Sequence, residues 1–359
     1  MAVAPKLAPL WATGISIPSL KSPEPPKRGD QFDGIEVCGV GKVKLEPDDW
    51  TAASHYVSAL TKNSRRRWLT TLQNSDDLRA RATGLYLEGF DQVSAPKDSG
   101  ATRDELVQLA LATKDPAVFA LAHAKCLRST DDSAAEGACP QLSVDAWTRA
   151  DADNAVPWLE RALLAHQEKD AAAEAAAFAH ASQAHRYETY NWSLYSFAQA
   201  ALPDDVTPTD RWILTTQVIG VEAAMRIMPF QPLFQYCSRA PSDVTVHQQC
   251  NALAELMVNK ATTLLESSLG KTLGSRIGWP AERIETLTQE LKASMQAINQ
   301  MTASDAEHEW SCESVVRGNA YVSQWTELGE RGLARQAIEN SGESVVDLSR
   351  KFDAKAAQP

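Results

Sequence analysis

"DNAVPWLERALL", residues 153–164, decides how this 359-residue chain is read. An acidic residue precedes an apolar-periodic run, the pattern of a helix start. Earlier by 38 positions (153 against 115), "DPAVFALAHAKC" at 115–126 repeats Asp-x-Ala-Val followed by an aromatic. Each opens a helix, each is followed by a turn, and each is answered by a second helix. Those answers are "CPQLSVDAWTRA" at 139–150 and "DAAAEAAAFAHASQA" at 170–184. A period near 40 with two helices per unit predicts an α-solenoid, in which each hairpin buries its face by stacking on neighbours. Close packing of alanine-rich helices in an ordinary bundle is the plainer alternative.

Outward from this centre, helical periodicity extends from Asp48 to Asn340. Starts are marked by "PDDW" at Pro47, "SDDL" at Ser75, "TRDEL" at Thr102, "TPTDRW" at Thr207 and "WPAERIE" at Trp279. Each sets a capping residue or proline before an apolar run, with carboxylates in the first turn where the helix dipole favours them. No segment shows sustained β alternation, so the expected fold is all-α: stacked antiparallel hairpins with a C-terminal bundle of longer helices. Residues 1–46 read as an extended Pro/Gly-rich lead-in, 47–206 as the hairpin region, 207–342 as a C-terminal helical region, and 343–359 as a short helix and frayed tail. "VHQQCNALAELMVNKATTLLESSLGKTLGSRIG" at 246–278 reads as one long amphipathic run. Its Gly270, Gly274 and Gly278 are best explained by a fraying helix end and turn.

The unit at 153–186 resembles the tetratricopeptide repeat. Trp158, Ala162 and Ala165 match the family's helix A positions, and Phe178 and Ala181 match helix B. Arg161, Glu174 and Arg186 depart from the pattern. The resemblance spans residues 115–186 and implies stacked helical hairpins with a concave surface for a protein or peptide.

Hydrophobic residues make up 44% and charged residues 23%, the balance of a globular chain. A formal net charge of −11 argues against nucleic acid as a partner, because phosphate binding relies on clustered Lys and Arg. No apolar run reaches the roughly 18 residues of a membrane span. Pro5, Pro9, Gly14 and Pro18 interrupt the N-terminal apolar stretch, so no secretory signal is read there. The chain is then cytoplasmic, or its export signal lies upstream or has been trimmed.

The cysteines favour export. Cys126/Cys139 and Cys237/Cys250 share one spacing, C-x12-C. In each pair the first ends a helical pattern and the second stands near the start of the next. A turn-rich linker between antiparallel helices would bring both within the ~4.4–6.8 Å Cα separation of a disulfide. Cys38 and Cys312 are then left to pair, tying the lead-in to the last long helix. An even count with repeated spacing suits the periplasm or a secreted protein. Six unrelated buried thiols in a cytoplasmic protein is the other reading.

Three stretches invite a search for chemistry. "GIEVCGVGKVKLE" at 34–46 fails as a phosphate loop: Glu36 stands where the first glycine belongs and Val43 where the hydroxyl belongs. Its glycines serve a turn beside Cys38. "HEWSC" at 308–312 puts Cys312 where a zinc helix needs a second histidine. A hydrolase, or a thiol- or metal-dependent enzyme, with a pocket around His308 and Cys312 is the enzyme alternative. Histidines 123, 166, 180 and 185 read as structural, and no catalytic set, cofactor site or metal site is expected. Finally, Tyr187, Tyr190, Trp192 and Tyr195 cluster in "RYETYNWSLYSF" at 186–197. Tyr187 and Tyr190 are placed on one helix face and Trp192 and Tyr195 on another, packed between hairpins with part left as a binding groove. The expected role is a non-catalytic scaffold or binding module.

Overall fold

The computed structural model describes residues 35–39, 41–43, 50–88, 99–128, 137–190, 193–202, 206–223, 230–240, 242–302 and 311–356. Among these the protein is all-α, with fifteen α-helices and one two-stranded hairpin. The hairpin pairs β1 (Ile35–Val37) with β2 (Gly41–Val43), with Ile35 opposite Val43 and Val37 opposite Gly41. The glycines expected in a turn beside Cys38 therefore close two short strands. Most of the lead-in expected at 1–46 lies outside the described residues.

Helix α1 (Trp50–Gln73) packs on α2 (Leu78–Leu87), which starts at the Asp77 cap. Helices α3 (Ser99–Thr113) and α4 (Pro116–Arg128) form a hairpin across a short turn at Lys114. Buried Lys125 on α4 reaches back to donate to the carbonyls of Tyr86 and Glu88 at the end of α2 (3.2 and 2.9 Å). Its charge thus meets the negative end of a helix dipole. A 3-10 turn at Cys139–Gln141 leads to α5 (Val144–Ala150), then α6 (Ala155–Glu168) and α7 (Ala171–Gln183).

The two units expected to repeat are built differently. Helix α6 folds against the helix that follows it, as read from sequence. Helix α4 instead folds chiefly against the preceding α3, and the answering segment at 139–150 supplies only a turn and the short α5. The reason is length: two residues connect α3 to α4, whereas the inserted stretch after Arg128 separates α4 from α5.

Helices α8 (Ser193–Ala200), α9 (Pro208–Ala223) and α10 (Gln231–Cys237) lead to the C-terminal part. The run expected to be one long helix is two, α11 (Val244–Lys260) and α12 (Leu264–Arg276). The break comes from "TLLE" at 263–266, where Thr263 caps the Glu266 amide and Glu266 returns to the Thr263 amide. Folded back, Gly270 takes the backbone of α11 at close range, and Gly278 (φ 92°) makes the turn towards α13 (Ala281–Thr302). Helix α14 (Cys312–Ser341) carries a non-helical residue at Gly329, and α15 (Val345–Ala356) lies against α13. One apolar core runs from Trp68 to Val322, and a small second one joins Ala293, Ala297, Ala337 and Leu348.

Candidate functional site

The densest polar network lies where the turn before α6 meets the segment between α7 and α8. Asp151, with its side chain 3% exposed, accepts from Asn154 Nδ2 at 2.8 Å, from the Tyr190 hydroxyl at 2.9 Å, and from the Arg186 guanidinium. Asn154 is fully buried. Its amide also donates to the Glu188 carbonyl (2.8 Å), while its oxygen accepts the amides of Glu188 (3.0 Å) and Val156 (3.2 Å). One side chain therefore caps α6 and pins a neighbouring strand-like segment. Asp153 takes the amides of His185 and Arg186 on its carbonyl, and Ala155 donates to Arg186. At the rim, Asp153 Oδ1 meets His185 Nδ1 at 2.8 Å, and that hydrogen bond holds the Asp153 carboxyl below its usual range.

Inward from this network the environment becomes acidic and dry. Tyr187 is 2% exposed, and burial, then the carboxylates of Glu266 and Glu160, push its phenol well up. Burial likewise raises Glu188 and Glu266. A separate buried carboxylate, Glu222 on α9, accepts the Tyr195 amide at 3.2 Å at the first turn of α8. Burial raises it to about 8, with the Tyr195 and Leu194 amides pulling the other way. These groups bind backbone amides and neighbouring side chains; the arrangement joins helices. Among the described residues, no three His, Cys, Asp or Glu side chains are grouped to hold a metal ion.

Three disulfides join Cys126 to Cys139, Cys237 to Cys250 and Cys38 to Cys312, with Cα separations of 5.7, 5.8 and 4.5 Å. Cys312 is thus engaged and offers no free thiol for a thiol enzyme; His308 lies outside the described residues. Tyr187 and Tyr190 do not share a helix face. The segment holding them is not helical, because Asp153 and Asn154 claim its backbone, with Tyr190 left-handed (φ 59°), and α8 begins only at Ser193. Tyr195 is buried on α8, and Trp192 lies outside the described residues. His123 lies tilted against Trp147, His166 meets Glu174 at 3.0 Å, and His180 stacks on Trp158.

Two recesses flank Trp68. One, with room for about one water, lies among Leu72, Leu87, Leu214, Val218 and Val221 with Arg65 and Gln217 alongside. The other, a crease too narrow for a water, shares Trp68, Leu214 and Val218 and reaches Tyr195, Gln199 and Arg211. Sequence reading missed Asp151, Asn154, Glu222 and Glu266. Glu266 carried a local signal, the capping pattern at 263–266, and Asn154 a cap position before the apolar run; the longer-range contacts of Asp151, Asn154 and Glu222 reach partners 27 to 39 positions away. No protein-family model, curated protein or solved structure matches the chain.

Proposed function

We propose that this chain is a non-catalytic helical scaffold or protein/peptide-binding module that works in the periplasm or outside the cell. The carrying observation is that all six cysteines are paired, two pairs clamping neighbouring helical elements and one joining the β-hairpin to α14. Such bonds persist in oxidising compartments and not against cytosolic thiols. The stacked-hairpin, tetratricopeptide-like architecture belongs to the same reading, with its division at 206/207. Its support is the α6–α7 hairpin, where Ala162, Ala165, Phe178 and Ala181 are buried and Trp158 lies on His180. Of the groove expected at Tyr187, Tyr190, Trp192 and Tyr195, the reading keeps Tyr195, which borders the recess beside Trp68.

Alkylating source cells before lysis tests the compartment: the reading expects no labelled cysteine and recovery outside the cytoplasm, and six labelled thiols overturn it. For binding, a photo-crosslinker at Gln199 or Gln217 on the recess rim should capture a polypeptide that the same probe at Lys351 on α15 does not. Identical products from all three positions would remove the recess from the proposal.

A further inference from the structure

The three disulfides sit in unlike surroundings. Cys237 and Cys250 belong to the main core, and Cys126 and Cys139 pack against it. If either bond opened, its thiols would stay held face to face by packed helices, so the bond would close again. The third is placed otherwise. Cys38 is 6% exposed but lies outside the main core, on a hairpin whose two strands have three residues each. Cys312 is exposed. Val37 beside Cys38 is 1% exposed, and Thr209 at the start of α9 donates its hydroxyl to the Cys38 carbonyl.

Cys312 is also the first residue of α14, directly after the Ser311 cap, whose side chain takes the Ser314 amide. A thiolate at that position faces the positive end of the helix dipole, which lowers thiol pKa and so favours the reduced form of this bond. Glu313 opposes this, but it is highly exposed and faces Arg317 at 3.5 Å. Cys312 is the one exposed cysteine of the six, and its thiolate would be stabilised at a helix start; the two coincide at this bond alone.

We propose that Cys38–Cys312 is the protein's thiol-exchange site, open to a dithiol reductant while the other two bonds stay closed. A thiolate of the dithiol attacks the accessible Cys312 sulfur. The S–S bond breaks, and its electron pair goes to Cys38, which takes a proton from water. The second thiolate of the dithiol then attacks its own sulfur in the mixed disulfide and expels Cys312 as a thiolate at the helix start. The dithiol leaves oxidised as a cyclic disulfide, two electrons having passed to the protein. The product is a chain whose hairpin is freed from α14.

The test uses the full-length oxidised protein in a graded series of reduced to oxidised dithiothreitol, quenched by alkylation and mapped by peptide mass. Cys38 and Cys312 should become half-labelled at a ratio at least tenfold less reducing than the other four cysteines. Labelling of either local pair first, or of all six together, overturns the proposal.

Discussion

Glu330 Oε2 accepts the backbone amide of Leu264 at 2.7 Å, across 66 positions, at the first residue of α12. Helix starts leave such amides without partners, and here a carboxylate from another helix supplies one. It can do so because Gly329, at φ 68° and ψ 168°, breaks α14 one residue earlier and redirects the chain towards the α11–α12 junction. That backbone region is open to glycine almost exclusively. Burial pushes the Glu330 carboxyl up, and the Leu264 amide draws it back. Kink and cap form one device.

Gly329→Ala should therefore cost about 1–3 kcal/mol, because a side chain is forced into that region. Glu330→Ala should cost about 1–2 kcal/mol by leaving a buried helix-start amide unpaired. The double variant should lose less than the sum, since both act at one junction. Urea unfolding of the three variants measures this. A neutral Gly329→Ala would show that the kink is not required.

Glu222 sets a pH dependence. The folded chain holds its proton up to about pH 8, against 4.5 for an ordinary glutamate. Its stabilising contribution is complete below pH 4.5, shrinks as pH rises through that window, and is gone above about 8. Glu255 acts in the opposite sense: its hydrogen bond to Arg283 lowers its carboxyl, so its contribution is present above pH 4.5 and lost as pH falls further. Melting temperature should rise between pH 8.5 and pH 6 in the native chain, by a free energy on the order of 3 kcal/mol. Glu222→Gln should flatten that slope and leave the acid limb unchanged. An unchanged slope in the variant would assign the effect to other groups.

The helical class was legible because capping residues and 3.6-residue periodicity are local properties, and the equal spacing of Cys126/Cys139 and Cys237/Cys250 pointed to local bonds. Periodicity does not say which neighbour a helix chooses. It gave α4 the wrong main partner and carried a helix through Tyr187, where the fold has a non-helical segment. What holds that segment is Asn154, whose partner Glu188 is 34 positions away. The Asn154 cap of α6 is visible in the sequence, but its hold on the distant segment leaves no mark in that segment's pattern. Glu330 is hidden in the same way, since a glutamate in mid-helix reads as a solvated face.

The two local disulfides each bridge cysteines 13 positions apart. In the chain-entropy model each is worth roughly 3 kcal/mol, less any strain in the native state. Replacing Cys237 and Cys250 together by Ser should lower Tm by roughly 3–6 °C for a chain of this size, and should cost more than the Cys126/Cys139 replacement. The first pair is buried in the core, and two hydroxyls there would lack partners, whereas Cys126 and Cys139 are half-buried. Scanning calorimetry of the two double variants under oxidising conditions checks the order; equal losses would leave burial without effect.

Gly270 provides a test in which two effects have opposite signs. On helix propensity alone, Gly270→Ala should stabilise α12 by about 1 kcal/mol. Yet a Cβ there would stand 2.7 Å from the Met257 Cβ and 2.9 Å from the Val258 nitrogen on α11. Backbone cannot yield as a side-chain tip can, so α11 and α12 must separate, at roughly 1–3 kcal/mol for overpacking. Crowding should win, with net destabilisation measured by denaturant unfolding. Gly220→Ala on α9, where the added Cβ meets nothing within 4 Å, is the matched control and should gain what propensity gives. A stabilised Gly270→Ala would mean that α11 and α12 do not approach this closely at Met257.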